Sequence, residues 1–252
     1  MEKDLDGKVS VVTGGGSGIG QATALLYAIH GAKVIVSDIN EQAANDVASQ
    51  IKQMGGEAIS VKADVSKSED CEQLINKTIE AFGRVDIAFN NAGIGGEANP
   101  IADMSIEGWN KIIAVNLSSV FYCMKYQLQQ MVKQGNGAII NNSSILGAVG
   151  FANSAGYVAA KHGLIGLTKN AALEYSSKGI RVNAVGSAFI NTPLLKEASI
   201  EGDIKQGLVH LHSIGRFGEP NEVAELVVWL SSDKASFVTG SYYAIDGGYL
   251  AQ

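Results

Sequence analysis

Seven short apolar runs, most of them rich in Val and Ile, punctuate the chain at residues 8–13, 33–37, 58–62, 86–90, 137–142, 180–185 and 242–246. Between them lie longer stretches whose apolar residues recur at three and four spacing, such as Ile19, Ala22, Leu25, Leu26 and Ile29, or Leu74, Ile75, Ile79 and Phe82. Continuous apolar strands alternating with helices of that period mean βαβ units, and therefore a parallel sheet buried on both faces. The expected fold is α/β, a doubly wound, parallel, seven-stranded sheet with helices on both sides. The chain has three prolines, Pro100, Pro193 and Pro220, and no charge block or low-complexity run divides it. Residues 1–252 therefore read as a single domain, a size α/β domains reach as one unit. One segment breaks the rhythm: residues 192–218 follow the sixth strand without a strand pattern, and read either as a lid over a substrate or as an ordinary connecting helix.

Composition narrows the function. The formal charge is −6 and the pI is near 5.2, so no basic face suited to phosphate backbones, and no nucleic-acid partner, is expected. Charged residues make up 17% of the chain, against about 25% in ordinary soluble domains, which suggests that further surface is hidden in an oligomer. Only Cys71 and Cys123 are present, and His30, His162, His210 and His212 are scattered. That pattern encodes neither a disulfide framework nor a metal site, and it fits a reducing, cytoplasmic setting. The start, MEKDLDGK, is acidic where an export signal would be cationic and then apolar. The longest uncharged stretch, Gln134 to Ala160, is interrupted by Asn and Gly, which argues against a membrane span.

The first strand runs straight into Thr13-Gly14-Gly15-Gly16-Ser17-Gly18-Ile19-Gly20, and a helix opens at once. Glycines there let the backbone turn tightly and approach a pyrophosphate, whose charge meets free N–H groups at the helix N-terminus. The spacing is TGxxxGxG rather than GxGxxG, with Gly14, Gly18 and Gly20 at the fixed positions and Ser17 and Ile19 between them. The alternative is a flexible strand-to-helix turn. Asp38 ends the second strand, about where a carboxylate would meet the adenosine ribose of such a Rossmann nucleotide site. Like charges at 4 Å and an effective dielectric of 20 repel by about 4 kcal/mol, so this carboxylate would favour NAD over NADP. Asp38 could instead cap the following helix, although Asn40 could supply that cap.

Tyr157 and Lys161 are four apart in a helical pattern, so both side chains leave one face a turn apart. Alone this is a weak signal. Ser143 and Ser144, however, end the fifth strand, and Asn90-Asn91-Ala92-Gly93 ends the fourth, at the carboxyl edge where open parallel sheets bind ligands. With TGxxxGxG, NNAG, the Ser pair, YxxxK and VNAV followed by NTP at 191–193, the chain resembles the short-chain dehydrogenase/reductase family along nearly its whole length.

That resemblance implies roles. Tyr157 would be the proton donor and acceptor, Lys161 would hold the nicotinamide ribose and acidify the Tyr, and Ser144 would orient the carbonyl; Ser143 would be structural. Asn116, in AVNLSS, would support a proton relay through water. Gly14, Ser17, Gly18, Ile19 and Gly20 would cradle the cofactor; Asp64 and Val65 would flank the adenine, Asn91, Ala92 and Gly93 would line the cofactor, and Ile190 and Thr192 would meet the nicotinamide amide. The reaction would pass a hydride between NAD(H) and the carbon of a ketone or secondary alcohol, with no metal. To act near neutrality the phenol must fall from about 10 to about 7, about 4 kcal/mol, which one nearby ammonium at moderate dielectric supplies.

Residues expected to face the reacting carbon are Ile94, Ile145, Leu146, Phe151, Asn153, Phe189, Leu194 and Leu195, nearly all apolar. Each sugar hydroxyl left unpaired against such a wall would cost about 1 to 3 kcal/mol, so hydrophobic ketones are favoured over polyols. A non-catalytic dinucleotide sensor and a polyol dehydrogenase are the alternatives. The family also implies a homotetramer burying helices at about 105–133 and 155–176. Two departures stand out. Where the family carries Pro-Gly after VNAV and one residue, this chain reads Gly186-Ser187-Ala188, which puts loop geometry beside the nicotinamide in question. Asn142 occupies a place that is usually apolar, so burial would oblige it to find partners. The final GGYLAQ resembles the end of relatives whose C-terminal carboxyl binds a structural magnesium ion, or is simply a terminus packed at an interface.

Overall fold

The computed structural model describes residues 3–197 and 202–251. Its centre is a sheet of seven parallel strands in the order β3-β2-β1-β4-β5-β6-β7. The strands are β1 (Val9–Thr13), β2 (Lys33–Asp38), β3 (Ala58–Lys62), β4 (Ile87–Asn90), β5 (Gly137–Asn142), β6 (Ile180–Ser187) and β7 (Tyr242–Ile245). Successive side chains along a strand point to opposite faces, and here both directions meet apolar cover. Val12, Val34, Val36, Phe89 and Ile140 pack on one side with Tyr27, Val223 and Val227; Val11, Ile35, Ala88 and Ile139 pack on the other with Leu74, Leu128, Met131 and Leu164.

Nine α-helices are seen among the described residues: α1 (Gly18–Ile29), α2 (Glu41–Gln53), α3 (Ser68–Phe82), α4 (Ile106–Ile113), α5 (Ser119–Gln134), α6 (Ala155–Tyr175), α7 (Pro193–Glu197), α8 (Gly202–His210) and α9 (Pro220–Ser231). None is long and apolar enough to cross a membrane. The expected strand positions are met, with ends shifted by a residue or two. The largest shift is in β6, which continues through Gly186 and Ser187 and pairs Ser187 with Ile245. The segment that departs from Pro-Gly is therefore regular strand up to Ser187. The helix expected near 105–133 is broken by a π turn over Ala114–Ser118, a local widening that in other proteins accompanies functional sites.

Strand order reverses between β1 and β4, opening a crevice above their carboxyl ends. Its floor is tied by buried amides: Asn90 Nδ2 donates to Gln127 Oε1 of α5 at 3.1 Å and to Asn141 Oδ1 of β5 at 3.0 Å, and Asn141 Nδ2 donates to Thr168 Oγ1 of α6 at 3.0 Å. Paired in this way, the four polar groups avoid the cost of about 1 to 3 kcal/mol that each would carry if buried alone. Beyond β6 the chain closes a loop at its base, where Asn191 N–H donates to Gly218 O at 2.9 Å and Gly218 N–H to Phe189 O at 3.0 Å. The segment expected as a lid rises from that clasp as α7 and α8; its residues 198–201 lie outside the described residues.

Candidate active site

The glycine loop joins β1 to α1 as a cradle with no spare room. Gly14 has φ +61° and Gly18 φ +53°, and a Cβ built on Gly20 would run into the Gly14 carbonyl. Asp38, at the end of β2, accepts from Gly16 N–H at 3.0 Å through Oδ2 and from Asn40 N–H at 2.9 Å through Oδ1. Asn40, not Asp38, caps α2, accepting from Ala43 N–H at 3.1 Å. Asn91 fastens the end of β4 to the loop, donating through Nδ2 to Thr13 O at 3.0 Å and Gly14 O at 3.1 Å.

These groups line a cavity of about 370 Å³, which takes in Gly14, Ser17, Gly18, Ile19, Asp38, Asp64, Val65, Asn91, Ala92, Gly93, Tyr157, Lys161 and Thr192. Of the residues expected at the cofactor, Gly20 lies beneath the loop and Ile190 faces the neighbouring cavity. Ile39, Lys111, Val115 and Asn142 also line it; of these, sequence reading singled out only Asn142, and for its polarity. Burial leaves that amide half satisfied: Nδ2 donates to Asn91 Oδ1 at 2.9 Å, while Oδ1 is buried without a partner.

Tyr157 and Lys161 do leave α6 side by side, with the ammonium 5.4 Å from the phenol ring centroid. Lys161 is 4% exposed and its Nζ donates to Asn142 O at 2.7 Å. Burial moves the two groups against the expected direction. It pushes the Tyr157 phenol up, opposed by a hydrogen bond with Ser144, and lowers the Lys161 ammonium to about 8. The chain's own groups do not therefore acidify Tyr157 as the sequence reading requires, because burial outweighs them. Ser144 Oγ accepts from Leu146 N–H at 3.1 Å, and Ser143 donates to Lys161 O at 3.0 Å from within the core. Asn116 sits in the π turn and is spent on Ile94, accepting from its N–H and donating to its carbonyl, both at 2.8 Å. Its side chain clamps the backbone above Gly93, so both ends of the amide are committed.

A second cavity of about 370 Å³ opens beside the first and shares Ile19, Asn142, Tyr157, Thr192 and Leu194 with it. Ser144 lines it with Ile145, Leu146, Phe151, Phe189 and Leu195. Phe189 is backed by Phe217 and His212 at centroid distances of 5.7 and 5.8 Å and faces Phe151 at 6.2 Å. Two expected wall residues lie elsewhere. Ile94 faces the cofactor side, held there by Asn116, and Asn153 is exposed on the turn before α6 with φ +64°. The backbone at each position, rather than its sequence distance from Ser144, sets its direction.

The arrangement has counterparts in known proteins. A family model described as Enoyl-(Acyl carrier protein) reductase matches residues 14–250. Cyclohexanol dehydrogenase of Acinetobacter sp. strain SE19 is 49% identical over 252 residues, covering 100% of this chain and 98% of that protein. A 2,5-dichloro-2,5-cyclohexadiene-1,4-diol dehydrogenase of Sphingobium indicum is 44% identical and covers 98% of this chain and 99% of its own. The crystal structure of levodione reductase superposes with a TM-score of 0.95 at 36% identity, over 98% of this chain and 99% of that one.

Proposed function

The chain belongs to the short-chain dehydrogenase/reductase family, and on that premise we propose that it is an NAD(H)-dependent dehydrogenase interconverting hydrophobic, ring-bearing secondary alcohols and their ketones. The observation that carries the reading is the apolar cavity that opens on Ser144 and Tyr157, walled by Ile145, Leu146, Phe151 and Phe189. A cycloalkyl ring buried there gains about 25 cal/mol per Å² of surface taken from water, whereas a polyol leaves hydroxyls unpaired. The names of the cyclohexanol and cyclohexadienediol relatives support the same substrate class.

The residues present fit a dinucleotide. The Gly14–Gly20 cradle has no room for side chains where a pyrophosphate would lie, Asp38 lines the cavity at the far end, and Asn142 Oδ1 is an unpaired buried acceptor at the near end. Asp38 is the basis for NAD over NADP, because a 2′-phosphate at 4 Å would meet its carboxylate with about 4 kcal/mol of repulsion. When bound, the cofactor supplies the hydride acceptor or donor and, oxidised, a positive charge beside the phenol. The Ser144 hydroxyl donates to the substrate oxygen and holds it at Tyr157. In alcohol oxidation the Tyr157 oxygen takes the hydroxyl proton; in ketone reduction it returns that proton to the same oxygen. Lys161, with its ammonium 5.4 Å from the Tyr157 ring centroid, offsets only part of what burial costs the phenolate. Asn116 keeps the strip from Gly93 to Ile94 in place along the cofactor.

The whole chain acts as one catalytic domain in a cytoplasmic setting, which the two unpaired buried thiols suit. Residues 192–218 are read as the substrate lid because Thr192, Leu194 and Leu195 line the substrate cavity. A homotetramer would cover Phe121, 51% exposed, and Leu173, 86% exposed, on α5 and α6; sedimentation as a monomer at micromolar concentration would remove that part of the reading. The central test is oxidation of cyclohexanol by NAD+, followed by NADH absorbance. Efficiency should exceed that on sorbitol by at least about tenfold, and a preference for the polyol would overturn the assignment.

A further inference from the structure

Gly186 and Tyr242 occupy neighbouring strands and fit each other. Tyr242 pairs with Ala184 in the β6–β7 ladder, and its ring reaches two residues further to lie over Gly186. A Cβ on Gly186 would collide with the Tyr242 hydroxyl and the two ring carbons nearest it. The hydroxyl occupying that space donates to the Ser144 carbonyl at 3.0 Å, across 98 residues of sequence. The same carbonyl accepts from Gly147 N–H at 2.9 Å. The Ser144 hydroxyl, for its part, lies 3.4 Å from Ser187 O, on the residue after Gly186.

Ser144 needs such fixing because of where it stands. It is the second residue past β5, just beyond the last ladder bond from Ser143 N–H to Val185 O, in extended conformation at φ −166° and ψ 164°, immediately before the short helical turn Ile145–Gly147. Without a cross-strand tie its backbone would be held from one side, by its own turn. Tyr242 supplies the tie from the edge strand. Burial and the nearby Asp246 carboxylate push its phenol up to about 12, so it remains a donor throughout the working range.

We propose that Tyr242, admitted by Gly186, is a positioning residue for the reaction: it holds the Ser144 backbone so that Oγ is aimed at the substrate oxygen and at Tyr157. The inference rests on the role proposed for Ser144 above.

The test uses the full chain with cyclohexanol and NAD+, and compares Ser144→Ala, Tyr242→Phe, Gly186→Ala, Tyr242→Ala and the double variant Gly186→Ala/Tyr242→Ala. Tyr242→Phe should lower kcat about five- to tenfold while NADH affinity, measured by fluorescence titration, stays within about twofold. Its oxidation profile should shift to higher pH, because the Ser144 hydrogen bond that holds the Tyr157 phenol down is loosened. Gly186→Ala should reproduce the kcat loss by displacing the ring, yet add nothing to Tyr242→Ala, which leaves the proposal testable if Tyr242→Phe folds poorly. If Ser144→Ala stays active, the catalytic reading fails and takes this inference with it. If Ser144→Ala is inactive but Tyr242→Phe keeps kcat within about twofold and its pH profile unmoved, the positioning role alone is overturned. Parallel losses of kcat and NADH affinity with an unmoved profile overturn it as well, since they mark a general loss of structure.

Discussion

The two sides of the crevice are built from different material. On the β1–β4 side the cavity is faced by backbone and short polar groups with Ile19, Val65 and Ile94 among them, and its parts are joined by bonds such as Gly16 to Asp38 and Asn91 to Thr13 and Gly14. On the β5–β7 side it is faced by rings and branched side chains from distant segments, Phe151 before α6, Phe189 after β6 and Leu194 in α7. On the function proposed above, the first side would recognise what every turnover shares, a diphosphate and two riboses. The second must fit one substrate among many, and shape in apolar side chains is the simplest property to vary without disturbing the first.

If the division is real, substitutions on one side should leave the other's ligand untouched. The largest effect is expected from Tyr157→Phe, which should reduce turnover by more than about a thousandfold while NADH binds within about twofold of the parent, since the hydroxyl acts on substrate alone. Comparable loss of cofactor affinity would break the division at its centre. Next, Asp38→Ser should narrow the ratio of NADH to NADPH efficiency by about tenfold or more, the repulsion having been removed, without changing the KM for ketone. Phe189→Ala should raise the KM for cyclohexanol about fivefold through lost burial, with NADH affinity preserved. The smallest effect concerns Lys161, which lines the cofactor-side cavity. In the free protein it loses its proton as pH rises past about 8, so NADH affinity should weaken between pH 7 and 9, by about threefold since a neutral amine still donates hydrogen bonds. An affinity that rises with pH would reverse the sign of this assignment.

Legibility in the sequence follows the same line. The strands could be placed because a strand covered on both faces must be apolar throughout, and the glycine loop because only Gly tolerates the approach of Gly20 to the Gly14 carbonyl. Both are local constraints. The π turn at Ala114–Ser118 left no mark in the apolar pattern, since a single widened turn spans too few residues to set a period of its own. Asn153 and Ile94 were grouped with the wall by proximity along the chain, whereas local dihedrals and the Asn116 clamp turn them elsewhere. The departure at Ser187 and Ala188 was visible, but the need for a bare Gly186 beside it lies in Tyr242, on another strand, and no local pattern announces that fit.

The bonds that run from Asn142 to Asn91 and on to the glycine loop also bear on timing. They close within the protein itself, so the diphosphate cradle stands finished before any ligand arrives, its ordering entropy already spent during folding. Encounter with a dinucleotide would then be diffusion into a standing groove, with no loop to order first. The segment from Asn191 to Gly218 is fastened as well, by the clasp at its base and by Ile214 N–H donating to Gly247 O at 3.0 Å, so its described residues too are tied within the protein itself.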